Sequence, residues 1–156
     1  MAVKTFGVVG AGQMGNGIAQ VAAYPGGLNV IMNDIADQFV DRGFDTISKN
    51  LDRLVAKEKL TADQKAEILS RIKKSTNLED MKDADFVVEA AVEREDLKLG
   101  IFRKLDEVCR PDVVLATNTS RRIGNSSGIG LPAASRARLY RSIWRCSAGI
   151  STAGPI

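Results

Sequence analysis

The chain has 156 residues, 44% of them hydrophobic, which is enough for one packed core and leaves no room for a second domain of ordinary size. Its two cysteines, Cys109 and Cys146, are too few and too separated for a disulfide framework or a zinc site, so no metal is expected. The 22 basic and 19 acidic side chains leave a net charge of only +3, and no run is long and apolar enough to span a membrane. Met1 leads straight into apolar sequence with no charged leader, apolar signal segment or arginine-rich transit helix. A reducing cytoplasm is therefore the expected compartment.

The first apolar run, Phe6 to Val9, predicts a strand, and Gly10, Gly12 and Gly15 follow at once in the spacing G-x-G-x-x-G. The first glycine permits a tight turn, the second leaves room for a pyrophosphate against the backbone, and the third lets the next helix pack close to the strand. The N-terminus of that helix would point unpaired N–H groups at the phosphates. Alone the pattern is common by chance, and its context carries the reading. Pro25-Gly26-Gly27 stops the helix, Leu28 to Met32 forms a second strand, and Asp34 arrives about twenty residues past the glycines. A carboxylate there accepts hydrogen bonds from the adenosine ribose and repels a 2′-phosphate by on the order of a few kcal/mol, so NAD is expected over NADP. The plain alternative makes Asp34 a solvated turn residue. Gln13 and Met14, inside the motif, join Gly10, Gly12, Gly15 and Asp34 as candidate cofactor-binding positions.

Beyond Asp34, the apolar residues Val40, Phe44, Ile47, Leu51, Leu54 and Val55 recur at helical spacing. Thr61 and Gln64 have capping-box spacing, and Ile68, Leu69 and Ile72 give a second helical face. Together they predict a helix pair inserted into the fold, with Lys57, Lys59 and Lys65 near its tip. Those lysines suit an anionic ligand, although on charge alone a solvated lysine-rich turn explains them better. The run Phe86 to Val92, interrupted only by Glu89, predicts a strand buried on both faces. Leu97, Ile101, Leu105 and Val108 supply the stripe of the next helix, Pro111 marks its end, and Val113 to Ala116 form one more strand. The order β-α-β, helical insert, β-α-β predicts an α/β fold: a doubly wound, mostly parallel Rossmann sheet with a helix-pair insertion.

In an open sheet of this kind ligands lie over the carboxyl ends of the strands. Asp34, Glu93, Asn118 and Ser120 all fall just past predicted strand ends. Position alone makes Glu93 a candidate cofactor contact, while Asn118-Thr119-Ser120 also reads as a cap or turn. Lys98, one turn into its helix, reads as solvent-facing.

After Ser120 the composition changes. Residues 121–156 hold six arginines and no lysine, aspartate or glutamate, among many serines, glycines and alanines, whereas residues 1–120 carry net −3. The chain is accordingly divided into a nucleotide-binding domain over 1–120 and an atypical tail over 121–156. Leu131, Leu139, Ile143 and Trp144 give the tail apolar content that could cover part of a sheet edge.

Four segments together resemble the N-terminal half of the 3-hydroxyacyl-CoA dehydrogenase family. They are Gly7 to Gly15, Val30 to Asp34, Val87 to Glu93 and Leu115 to Ser120, within a match running from Val3 to Ser120. The resemblance implies an NAD-dependent exchange of hydride between a 3-hydroxyacyl-CoA and its 3-oxo form, with an acyl-CoA substrate and a homodimer. It implies that Glu93 and Lys98 contact NAD, and that Ser120 lies beside the nicotinamide, bonded to the substrate's 3-oxygen, with Asn118 just before it. It also implies that the helix pair from Val40 to Lys73 meets coenzyme A. The family takes the hydroxyl proton with a histidine in an H-F-x-N-P segment, oriented by a glutamate. This sequence contains no histidine. The second serine of the family's N-T-S-S is Arg121 here, and nothing later aligns with the pattern, including the family's C-terminal helical domain. So abrupt a change is expected of a frameshift, a deletion junction or a mistaken gene end, with the chain as written inactive. The alternative from another class is a non-catalytic NAD-binding module whose basic tail recruits an anionic partner such as nucleic acid. Its arginines are not interleaved with the aromatic platforms of a single-strand binder.

Overall fold

A computed structural model describes residues 2–91, 94–118 and 139–141. Six strands run in one parallel sheet: β1 Thr5–Val9, β2 Asn29–Asn33, β3 Ile72–Ser75, β4 Phe86–Glu89, β5 Val114–Thr117 and β6 Leu139–Arg141. Their order is β3-β2-β1-β4-β5-β6, so the chain starts in the middle, builds outward to one edge and then crosses to the other. Helices α1 Gln13–Ala23, α2 Asp37–Ala56, α3 Ala62–Ser70 and α4 Glu95–Val108 fill the crossovers, with a short 3-10 turn at Leu78–Asp83.

The unbroken apolar strands have a direct explanation. Neighbouring residues of each strand point to opposite faces, and both faces are covered. Val8, Met32, Val88 and Ala116 belong to the core beneath α1 and α2, with Ala19, Ile47 and Leu51 from those helices. Val9, Ile31, Val87 and Leu115 belong to a second core, with Met81 from the 3-10 turn and Phe102 and Leu105 from α4. The predicted doubly wound arrangement is present. The capping box at α3 is also formed: Gln64 N donates to Thr61 Oγ1 at 3.1 Å and Thr61 N donates to Gln64 Oε1 at 2.9 Å.

Two expectations change. Ile72 does not continue the face of α3; it starts β3, which pairs with β2 from Val30↔Ile72 to Asn33↔Ser75. This four-residue strand has no alternation in its sequence, because Lys73 and Lys74 are both exposed at the sheet edge. The strand predicted to reach Val92 ends at Glu89. In the tail, Leu139–Arg141 pairs with Leu115–Thr117 and covers the far edge of the sheet, as its apolar content allowed.

Candidate functional site

The carboxyl ends of β1, β2 and β4 open into a cavity of about 970 Å³. Its near wall is the loop Gly10–Gly12. Gly10 has φ +103°, a left-handed conformation that favours glycine, and a Cβ there would stand 2.7 Å from the Ala90 carbonyl oxygen. A Cβ on Gly15 would collide with the Gly10 carbonyl oxygen, so the bare glycine is what brings α1 onto the strand end. Around Gly12 nothing lies within 4 Å of where a Cβ would be. That space opens into the cavity, at the N-terminus of α1, which carries no side-chain cap and no acid in its first turn. Uncapped N–H groups beside open space are suited to hold an anion. Gln13 and Met14 lie exposed on the first turn of the helix.

Asp34 stands at the end of β2 in the cavity wall. Its Oδ2 accepts from Ala11 N and its Oδ1 from Ile35 N, both at 2.7 Å. It is therefore no simple solvated turn residue, because it clamps the glycine loop to β2, with Gly10 N donating to Asn33 O at 2.8 Å beside it. Each carboxylate oxygen keeps a second lone pair for a hydroxyl. Ile35, 81% exposed, and Arg42 complete this end of the cavity with an apolar surface and a cation. Gly43, on the next residue of α2, seats that helix against the loop: a Cβ there would be 2.6 Å from the Ala11 carbonyl oxygen.

The opposite wall is formed by Ala90 and Ala91 after β4 and by Leu97 and Ile101 of α4. Here the structure corrects the sequence reading. Leu97 and Ile101 turn to the cavity, and the buried stripe of α4 is Lys98, Phe102, Leu105 and Cys109. Lys98 is 4% exposed, not solvent-facing, and its Nζ lies 3.3 Å from Glu89 Oε2. Glu89, fully buried, also takes the Thr117 hydroxyl on Oε2 at 2.7 Å and Ala91 N on Oε1 at 2.7 Å. Asn118 N donates to the Glu89 carbonyl at 2.8 Å, which fixes Asn118 at the end of β5. Sequence reasoning passed over Glu89 as an interruption; its signal was a lone carboxylate in an apolar strand, which must be paired if buried.

Glu93, Ser120 and the tail arginines other than the backbone of Arg141 lie outside the described residues. Of the three lysines at the insert, Lys65 is paired with Asp52 at 2.6 Å across α2 and α3, while Lys57 and Lys59 stay exposed in the turn between them. Among the described residues no group of His, Cys, Asp and Glu is arranged to hold a metal, and no helix is long and apolar enough to cross a membrane.

A family model described as "3-hydroxyacyl-CoA dehydrogenase, NAD binding domain" matches residues 5–125. The 3-hydroxybutyryl-CoA dehydrogenase of Bradyrhizobium diazoefficiens is 45% identical over 118 residues, covering 76% of this chain and 40% of its own. A probable 3-hydroxybutyryl-CoA dehydrogenase of Deinococcus radiodurans is 48% identical over 115 residues, covering 74% and 41%. Among solved structures, (S)-3-hydroxybutyryl-CoA dehydrogenase of Ralstonia eutropha superposes with a TM-score of 0.73 at 50% identity, over 76% of this chain and 42% of that one. The Escherichia coli enzyme reaches 0.81 at 36% identity, over 90% and 29%. The chain spans about two fifths of the length of the curated relatives it matches.

Proposed function

Because the chain belongs to the 3-hydroxyacyl-CoA dehydrogenase family through its NAD-binding domain, we propose that it binds NAD in the cavity over β1, β2 and β4. The whole protein's reaction, on this reading, is the NAD-dependent interconversion of a 3-hydroxyacyl-CoA and a 3-oxoacyl-CoA. The observation that carries it is the pairing of open space at Gly12 with the Asp34 carboxylate in one cavity. Backbone N–H groups of the loop and of α1 hold the pyrophosphate. Asp34 receives the ribose hydroxyls and disfavours a 2′-phosphate by charge. Leu97 and Ile101 give the opposite wall an apolar surface that keeps water from the ring side of the site.

NAD supplies the hydride acceptor for the substrate's C3. Asn118 and Ser120, with Glu93 and Lys98, are assigned to the nicotinamide end, and Lys57 and Lys59 to the phosphates of coenzyme A. The hydroxyl proton must leave to a base, and the 156 residues include no histidine. A general base is worth about 10²–10⁴-fold, so this chain is expected to give no measurable turnover of acetoacetyl-CoA. NADH oxidation above a heat-killed control would overturn that expectation and call for a search for a substitute base. The compartment this reading implies is a reducing cytoplasm.

Fluorescence titration of the purified chain with NADH, and with NADPH beside it, tests the cofactor assignment. Saturable binding with NADH preferred by about tenfold or more is expected from the repulsion between the Asp34 carboxylate and a 2′-phosphate. No saturation, or a preference for NADPH, refutes it.

A further inference from the structure

Glu89 touches no part of the cavity surface, yet three chain segments at the carboxyl end of the sheet converge on its carboxylate. Ala91 belongs to the turn that faces Gly10, Thr117 precedes Asn118, and Lys98 is one turn into the helix whose Leu97 and Ile101 line the cavity. All three bonds are made by a group with no solvent exposure. The most demanding is Lys98. It occupies a core position on the stripe it shares with Phe102 and Leu105, and an ammonium there is tolerated only beside a compensating charge. Among the described residues Glu89 is the carboxylate that supplies it. Without that charge, Lys98 would be driven out of the stripe, and the first turn of α4 would have to move with it.

We propose that Glu89 is a positioning residue of the cofactor site, holding Lys98 and the first turn of α4 in place beneath the nicotinamide end of the cavity. This rests on the assignment of the cavity to NAD. The chemistry of the pair allows the role to be isolated. Glutamine at position 89 has the same shape and keeps an acceptor for Ala91 N. Its amide nitrogen meets Thr117, whose hydroxyl can accept as well as donate, but it also meets Lys98, which can only donate. The substitution Glu89→Gln therefore breaks the Lys98 link and spares the other two.

The test is a double-mutant cycle in the full 156-residue chain, read by NADH fluorescence titration, with circular dichroism confirming that each variant is folded. Glu89→Gln is expected to weaken NADH binding by about tenfold, and to change it less than about twofold when Lys98 is already methionine, because its effect passes through Lys98. Should Glu89→Gln alone fail to fold, the Lys98→Met chain and the Glu89→Gln/Lys98→Met chain carry the same comparison. Replacing both charges leaves no unpaired buried ion, and in the Lys98→Met chain the Glu89 carboxylate keeps its bonds from Ala91 N and the Thr117 hydroxyl. Equal NADH affinity in those two chains supports the proposal. A further loss of about fivefold in the double variant, or unchanged affinity in Glu89→Gln, overturns it. Absence of saturable binding by the unaltered chain overturns the cofactor assignment and this proposal with it. Binding by the unaltered chain with additive losses overturns this proposal alone.

Discussion

Asp34 and the three glycines are the positions where a single atom decides between folding and binding. Asp34→Ala removes the clamp on Ala11 N and, on the proposed reading, a ribose acceptor and a charge that repels a 2′-phosphate. Loosening the loop weakens both cofactors alike, so the informative quantity is the ratio of affinities. NADH affinity is expected to fall about tenfold and its advantage over NADPH to narrow, in parallel titrations; an unchanged ratio removes Asp34 from the adenosine site. The glycines separate in a different way. Gly12→Ala meets open space and should change stability by about 1 kcal/mol at most while filling the room for the pyrophosphate. Gly15→Ala drives a Cβ into the Gly10 carbonyl and should cost about 1–3 kcal/mol of stability, as overpacking does. Thermal melts and NADH titrations of the two variants distinguish these effects. The close packing at Gly15 was legible from spacing, because a motif of six residues places its own neighbours. Glu89 was not, because Thr117 is 28 residues away and only the pairing of β4 with β5 brings them together.

Among the elements, α2 serves the site twice, lining the cavity with Phe39 and Arg42 and seating the glycine loop through Gly43. Its stripe of Val40, Ile47 and Leu51 was readable from periodicity and is buried. Gly43 gave no such signal, since a glycine in a helix reads first as a loss of about 1 kcal/mol relative to alanine. Its reason is the Ala11 carbonyl, 2.6 Å from where a Cβ would be. Gly43→Ala should therefore gain helix propensity but push α2 from the glycine loop, with weaker NADH binding by about fivefold or more as the readout. Thr61→Ala is the control on the other side of the insert. Losing the capping box should cost about 0.5–2 kcal/mol in a denaturant melt and leave NADH affinity unchanged. The rotation of α4 carries the same lesson: two apolar residues per turn allowed two stripes, and the cavity took Leu97 and Ile101 while the core took Phe102 and Leu105.

Across the whole molecule, the amino ends of the strands are tied down at Asp85, on the face opposite the cavity. Its carboxylate accepts from Lys4 N at 2.9 Å, Thr5 N at 3.0 Å and the Arg110 guanidinium at 2.7 Å. The two backbone donors, then Arg110, hold its pKa down from 3.8 to about 2. A depressed carboxylate contributes stability that is present above its unfolded value and lost as pH falls through the folded one. Asp85→Asn should therefore be less stable than the unaltered chain at neutral pH, and the gap should close between pH 3.8 and about 2 in acid melts. A gap independent of pH would mean that the carboxylate's charge contributes nothing.

The amino-acid sequence by itself determined the strand-loop-helix start, the continuous apolar strands of a two-faced sheet, Asp34 and the family to which the chain belongs. Each is written in residues close together along the chain, where spacing alone sets geometry. Only the tertiary structure decided that Ile72 starts an edge strand, that Lys98 is buried on Glu89, and that Gly43 admits α2 to the glycine loop. Those outcomes depend on which distant backbone lies within a few ångströms, and a helix or strand period cannot encode that distance.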